Sequence, residues 1–216
     1  MKKAKKVLAL FLAAVMLVCT TVAATVAYLT SQTEIVNNTF TVGNVVITLD
    51  EEDVDKDKVT ADNNTDHNNG QQRDRANVYH LMPGKSYDKD PTVWVEANSE
   101  NCYVYVKVVN NIAGIEATDA TTIAQQMAAK GWKSLGVENV YYYEKVVEKS
   151  TEDQGLVVFE NFKITGSITN TELAKYATTT DADDTNFIKV EAYAVQAEGF
   201  DTATAAWEAA SATWKI

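Results

Sequence analysis

The chain has 216 residues, with 19 basic and 30 acidic side chains and a formal net charge of −11. That length suits one domain of good size with a substantial core, and the acidity argues against nucleic acid or anionic lipid as a partner, because both need basic patches. Two cysteines, Cys19 and Cys102, are too few for a disulfide scaffold.

Residues 1–27 read as a secretory signal peptide. Lys2, Lys3, Lys5 and Lys6 form a positive end, and residues 7–18 are an apolar run of signal length, short for a membrane span. Thr25-Val26-Ala27 offers a cleavage site between Ala27 and Tyr28. Removing this segment leaves 15 basic against 30 acidic residues, and membrane contact ends with cleavage. A retained anchor is the alternative, since residues 22–29 extend the apolar character. A lipoprotein reading through Cys19 fails because Val18 stands where a small residue belongs.

Cleavage makes residues 28–49, YLTSQTEIVNNTFTVGNVVITL, the new N-terminus. Phe40 and Val42 share one parity, whereas Val45, Ile47 and Leu49 share the other, and Gly43-Asn44 lies where a bulge or tight bend absorbs the shift. A freed strand-forming terminus of this kind pairs either within its own fold or with another molecule.

The composition changes sharply over residues 50–77, which are charged and Asn/Asp-rich and read as a polar acidic surface insert. Asp62, Asn64, Asp66, His67 and Asn68 invite a calcium-loop reading, but His67 stands where the pattern requires glycine. A solvated loop is the simpler account.

Pro83-Gly84 signals a turn. Residues 92–97 (TVWVEA) and 102–109 (CYVYVKVV) then alternate strongly, with Cys102, Val104, Val106 and Val108 on one face and Tyr103, Tyr105 and Lys107 on the other. The two runs predict an antiparallel hairpin with one face in the core, and Cys102 is expected to be a buried structural thiol. Asp119 is a plausible cap for a helix over 120–130 ended by Gly131. Strands are predicted over 140–147, 156–165 and 187–197. A short helix capped by Asn170 and a final helix capped by Asp201, with Ala203, Trp207, Ala210 and Trp214 on one face, complete the chain. The expectation is an all-β domain over residues 28–216 with three short helices in its connections.

Motifs for catalysis are missing. The two histidines, His67 and His80, belong to no HExxH helix, no G-x-S-x-G elbow occurs, and glycines do not form a phosphate-cradling loop. A Cys102–His80 pair would place its nucleophile inward on a strand. Trp94, Tyr103, Tyr105, Tyr141 and Tyr143 invite a carbohydrate-binding face, although cross-strand packing explains them more simply. The expectation is no enzyme and no cofactor.

The signal junction followed by AYLTSQTEIVNNTFTVGNVVITLDE resembles the exported TasA and camelysin family of Gram-positive bacteria. Asn38, Phe40, Gly43, Val45 and Ile47 match the family pattern N-x-F-x-x-G-x-[LV]-x-[IL]. LMPGKSYDKDPTVWVEANSENCYVYVKV resembles the family's turn-and-hairpin block, and IKVEAYAVQAEGFDTATAAW its closing strand and helix. The resemblance implies a jelly-roll β-sandwich, processing by a SipW-type signal peptidase and secretion to the cell surface or extracellular matrix. It also implies a biofilm-fibre subunit that self-associates by donor-strand complementation, in which Phe40, Val42, Gly43, Val45 and Ile47 lie on the exchanged N-terminal strand. Within that strand, residues 34–42 are the part expected to move, residues 45–49 the part expected to stay, and Gly43 the hinge. Camelysin relatives include metalloproteases, but no matching metal constellation stands in this sequence. The other expectation is a monomeric secreted domain that binds a glycan or calcium.

Overall fold

A computed structural model describes residues 43–54, 73–74, 77–176 and 188–213. Chain contacts separate Met1–Thr41 from Val42–Ile216, and the fold below belongs to the second unit. Ala27, Tyr28, Phe40, Val42 and the 62–68 candidate calcium ligands lie outside the described residues.

The described chain is mostly β, with antiparallel sheets and three short α-helices. One four-stranded sheet runs β2 (Arg73–Asp74), β1 (Ile47–Glu52), β4 (Thr92–Val95), β8 (Gln154–Val157). A second runs β10 (Ile188–Gln196), β5 (Cys102–Asn110), β7 (Val140–Tyr143), β6 (Trp132–Ser134). A small sheet pairs β3 (Ser86–Asp88) with β9 (Asn161–Lys163). The helices are α1 (Ile123–Ala129), α2 (Asn170–Leu173) and α3 (Ala203–Ala210).

Both large sheets feed one apolar cluster. Val93 and Val95 enter it from β4, and Cys102, Val104, Val106 and Val108 from β5, all essentially without exposure. The alternation of β5 predicts this face correctly, but Tyr105 on the opposite face is also fully buried. The cause is α3: the Trp207 ring lies 5.1 Å from that of Tyr105, whose hydroxyl donates to Ala203 O at 2.6 Å. The centre of β5 is thus covered on both sides.

The predicted hairpin of residues 92–97 with 102–109 does not form. β4 pairs with β1 and β8, while β5 pairs with β10 and β7. Between them Asn98 takes a left-handed backbone (φ 64°), and the Ser99 hydroxyl donates to Val46 O at 3.2 Å. That bend carries the chain from one sheet to the other. The single strand expected over 156–165 likewise divides into β8 and β9, in different sheets, with Val158 and Phe159 buried between them.

The reading of residues 50–77 as a wholly surface insert fails at both of its ends. β1 continues through Glu52, and Arg73–Asp74 return to pair with Glu51–Glu52. Asp50 is only 2 % exposed and Arg73 7 %. Such charges are buried because they are paired. Arg73 Nε donates to Asp50 Oδ1 and Nη1 to Asp90 Oδ2, each at 2.7 Å, and Trp94 Nε1 donates to the same Asp50 oxygen at 2.9 Å. Lys89 pairs with Glu51, and Asn77 bridges Glu51 Oε1 and Glu52 O at 2.9 Å each. Burial works against the charge of Arg73, but the hydrogen bonds and charges of Asp90 and Asp50 outweigh it and raise its pKa. Beneath Trp94, Gly155 leaves no room for a side chain: a Cβ there would stand 2.7 Å from Trp94 Cζ3.

The helices are capped by threonines rather than by the expected Asp119, Asn170 and Asp201. Thr122 caps α1 and Thr169 caps α2, each in a reciprocal capping box with Gln125 and Glu172, and Thr202 caps α3. Asp119 instead pairs with Lys163 at 2.9 Å. Trp214 lies outside the described residues.

Candidate functional site

The N-terminal junction enters the fold beside the bend at residues 96–100. Glu96 N–H donates to Val46 O at 3.0 Å, and Glu100 N–H donates to Asn44 O at 2.9 Å. The register Ile47↔Val95 would set Asn44 opposite Asn98, so two extra residues sit on the partner segment. The partner segment is thus irregular at 97–99, whereas the parity change predicted at Gly43-Asn44 involves Phe40 and Val42, which lie outside the described residues. Gly43 itself borders the Glu100 side chain, whose Cγ a Cβ would approach to 2.8 Å. Val45, Ile47 and Leu49 pack, partly buried, against the main core. Gly43 thus precedes the strand, and Val45 and Ile47 pack against the body of the domain.

Among the described residues lies a groove of about 1000 Å³. Residues 77–83 form one wall, and α2 with Tyr176 forms the other; Ile112, Phe162, Lys89 and Ile188 complete the lining. Tyr79 and Phe162 of the lining join an aromatic cluster with Tyr87, which lies behind the groove beside the Pro83-Gly84 turn. Tyr87 stacks on Phe162 at 5.1 Å, and Tyr79 meets Phe162 edge-on at 5.4 Å. The Tyr87 hydroxyl donates to His80 O and accepts from Met82 N–H, both at 2.6 Å, which fixes the turn. Burial raises the Tyr87 pKa. Lys89 lies 5.6 Å from the Tyr79 ring centroid while pairing with Glu51. Val78 and Met82 remain exposed at its rim. Sequence reasoning singled out the turn but not this groove; Tyr79 and Tyr87 on its two flanks were the available signal.

The nucleophile candidate is not activated. Cys102 is fully buried on β5, and burial pushes its thiol up to about 11, opposite to the shift that a reactive thiolate needs. His80 is an exposed residue of the groove, whose lining does not include Cys102. Among the described residues, no three His, Cys, Asp or Glu side chains are grouped to hold a metal ion, and no helix is long and apolar enough to cross a membrane.

The five aromatic residues do not form one face. Trp94 leans over Gly155 and binds Asp50 in the first sheet. Tyr105 lies under α3, Tyr103 donates to Phe200 O at 3.3 Å, and Tyr141 and Tyr143 pack against the core. Their common role is packing, and the groove's aromatic residues are different ones.

No protein-family model, curated protein or solved structure matches the chain.

Proposed function

We propose that this chain is an exported structural subunit of an extracellular matrix or biofilm fibre, joined to its neighbours by its N-terminal strand. The observation that carries the reading is that the described chain is anchored immediately after Gly43, the residue that the N-x-F-x-x-G pattern places at a hinge. On the body side, Val45, Ile47 and Leu49 are held in the core and by the 96–100 bend. In this reading residues 34–42 leave while residues 45–49 stay with the domain. Two four-stranded antiparallel sheets sharing one core support a jelly-roll β-sandwich as the arrangement. Cleavage between Ala27 and Tyr28 by a SipW-type peptidase frees the strand, with Phe40 and Val42 as its pocket-filling side chains. The physical driving force is β-augmentation: main-chain hydrogen bonds supply affinity, and alternate side chains set register. The protein in this reading is not an enzyme, and its partner is a second copy of itself.

The experiment is electron microscopy and sedimentation of the chain beginning at Tyr28, beside a variant lacking residues 28–38. Polymers from the first and a folded monomer from the second are expected; polymers that persist without residues 28–38 overturn the proposal. The groove of about 1000 Å³ favours a second reading, a monomeric secreted binding domain for a cell-wall glycan. It predicts a glycan-dependent rise in melting temperature with no polymer at all.

A further inference from the structure

We propose that Lys89 and Asn77 are the two ends of an intramolecular isopeptide bond, formed with loss of ammonia and promoted by Glu51. The bond is independent of how copies of the chain assemble. Its basis is one buried carboxylate that holds both an amine and a carboxamide. Glu51 Oε2 pairs with Lys89 Nζ, and Glu51 Oε1 accepts from Asn77 Nδ2 at 2.9 Å. The side chains of Glu51 and Lys89 are 6 % and 11 % exposed. The attacking and the leaving nitrogen are thus presented on the two oxygens of a single acid, each within reach for proton transfer.

The carboxamide is oriented as well. Asn77 Oδ1 accepts from Val54 N–H at 2.8 Å, and Nδ2 donates a second time, to Glu52 O at 2.9 Å. These partners settle which amide atom is oxygen. The Val54 N–H points at the atom on which negative charge develops when the carbonyl carbon is attacked. Lys89 is held through its backbone, its N–H donating to Glu160 O at 3.0 Å, and its Nζ stands 5.6 Å from the Tyr79 ring centroid. Such a sheltered setting favours attack by the amine over hydrolysis of the amide. The neighbouring acids Asp50 and Asp90 are engaged by Arg73, so Glu51 is the acid that serves Lys89.

The step balances within the chain. Glu51 takes a proton from the Lys89 ammonium, and the freed lone pair of Nζ attacks Asn77 Cγ. A C–N bond forms and charge moves to Oδ1, under the Val54 N–H. Glu51 then passes a proton to Nδ2 and receives one from Nζ. The Cγ–Nδ2 bond breaks, its electron pair leaving with the nitrogen. An ammonium and a primary amide thus become a secondary amide and a released ammonium ion, with nothing oxidised or reduced. The product closes residues 77–89 into a ring around the Pro83-Gly84 turn. It ties the end of the acidic insert to the segment that leads into β4, and a covalent closure of this kind restricts the unfolded chain.

The test is the intact mass and tryptic map of the full chain, unaltered, as Glu51→Gln and as Lys89→Arg, each kept for days at neutral pH. The unaltered chain is expected to weigh about 17 Da less than its sequence, the mass of one ammonia. Trypsin is expected to release residues 76–85 joined to residues 86–107, because an acylated Lys89 resists cleavage. Both variants are expected at full mass, and Glu51→Gln is expected to yield residues 76–85, 86–89 and 90–107 as separate peptides.

An unaltered chain of full mass overturns the proposal, since the three groups are then an ion pair and a hydrogen bond only. A loss of ammonia that maps to another asparagine overturns it too. So does a loss of about 18 Da with Lys89 joined to residue 51, which is condensation with the carboxylate itself. A Glu51→Gln chain that forms the joined peptide as fast as the unaltered one overturns the part given to Glu51. Should Glu51→Gln fail to fold, Lys89→Arg keeps a cation beside Glu51, and a mass loss that persists in it overturns the bond.

Discussion

The two four-stranded sheets finish their outer positions in opposite ways. The first ends on β2, a two-residue strand whose Arg73 reaches back between Asp50 and Asp90. The second ends, among the described residues, on β10, nine residues whose core-facing row of Ile188, Val190, Ala192 and Ala194 is only partly buried. Charge fixes the first boundary to one geometry, because a guanidinium buried beside two carboxylates tolerates no slippage. Half-buried valine and alanine fix the second only on its inner side. Among the described residues, one sheet thus ends on ion pairs and the other on a partly buried apolar row.

The comparison is broken most forcefully at Arg73. Arg73→Leu leaves Asp50 buried with its charge opposed only by the Trp94 N–H, and a loss of about 3–5 kcal/mol is expected from urea unfolding. A variant as stable as the original would show that the ion pairs do not hold the first sheet's boundary. Within the second sheet, Val106→Ala removes two buried carbons at the centre and is expected to cost about 2 kcal/mol. Val190→Ala, on the partly covered row of β10, is expected to cost under about 1 kcal/mol in the monomer. Equal costs would mean that β10 is as well covered as β5. A further effect concerns pH. The thiol of Cys102 is raised by burial to about 11 from an ordinary 9.0, so its contribution to stability is complete below pH 9. It declines as pH rises from 9 to 11, because the unfolded chain ionises first. Melting temperatures of Cys102→Ala and the unaltered chain across pH 8–11 read this as a difference that is constant up to pH 9 and changes only above it.

Periodicity made the apolar strands legible. The alternation over 102–109 and 187–197 gives β5 and β10 nearly to the residue, since burial on one face demands period two. It carried no information about partners, so two adjacent alternating runs were joined into a hairpin that the bend at Asn98 and Ser99 directs into separate sheets. Charged residues misled in the other direction. Asp50, Glu51 and Arg73 look like loop until their partners Asp90, Lys89 and Trp94, distant in sequence, are known. Caps were missed by small offsets for a local reason: an aspartate or asparagine was preferred to threonine, although Thr122 with Gln125 and Thr169 with Glu172 spell the reciprocal pattern. The groove stayed hidden because Tyr79 and Phe162 of its lining are brought together, with Tyr87 behind them, only after β3 and β9 pair.

Gly155 connects these matters in a way that reaches beyond packing. A methyl group there would push against the Trp94 ring, and that indole donates to the carboxylate oxygen that also receives Arg73. Displacing the ring would disturb an ion pair two strands away, across β4 and β1, and with it the return of the chain at residues 73–74. Position 155 thus acts as a lever on the attachment of the acidic insert. The fluorescence of Trp94 is its natural gauge, since the indole senses the hydrogen bond directly.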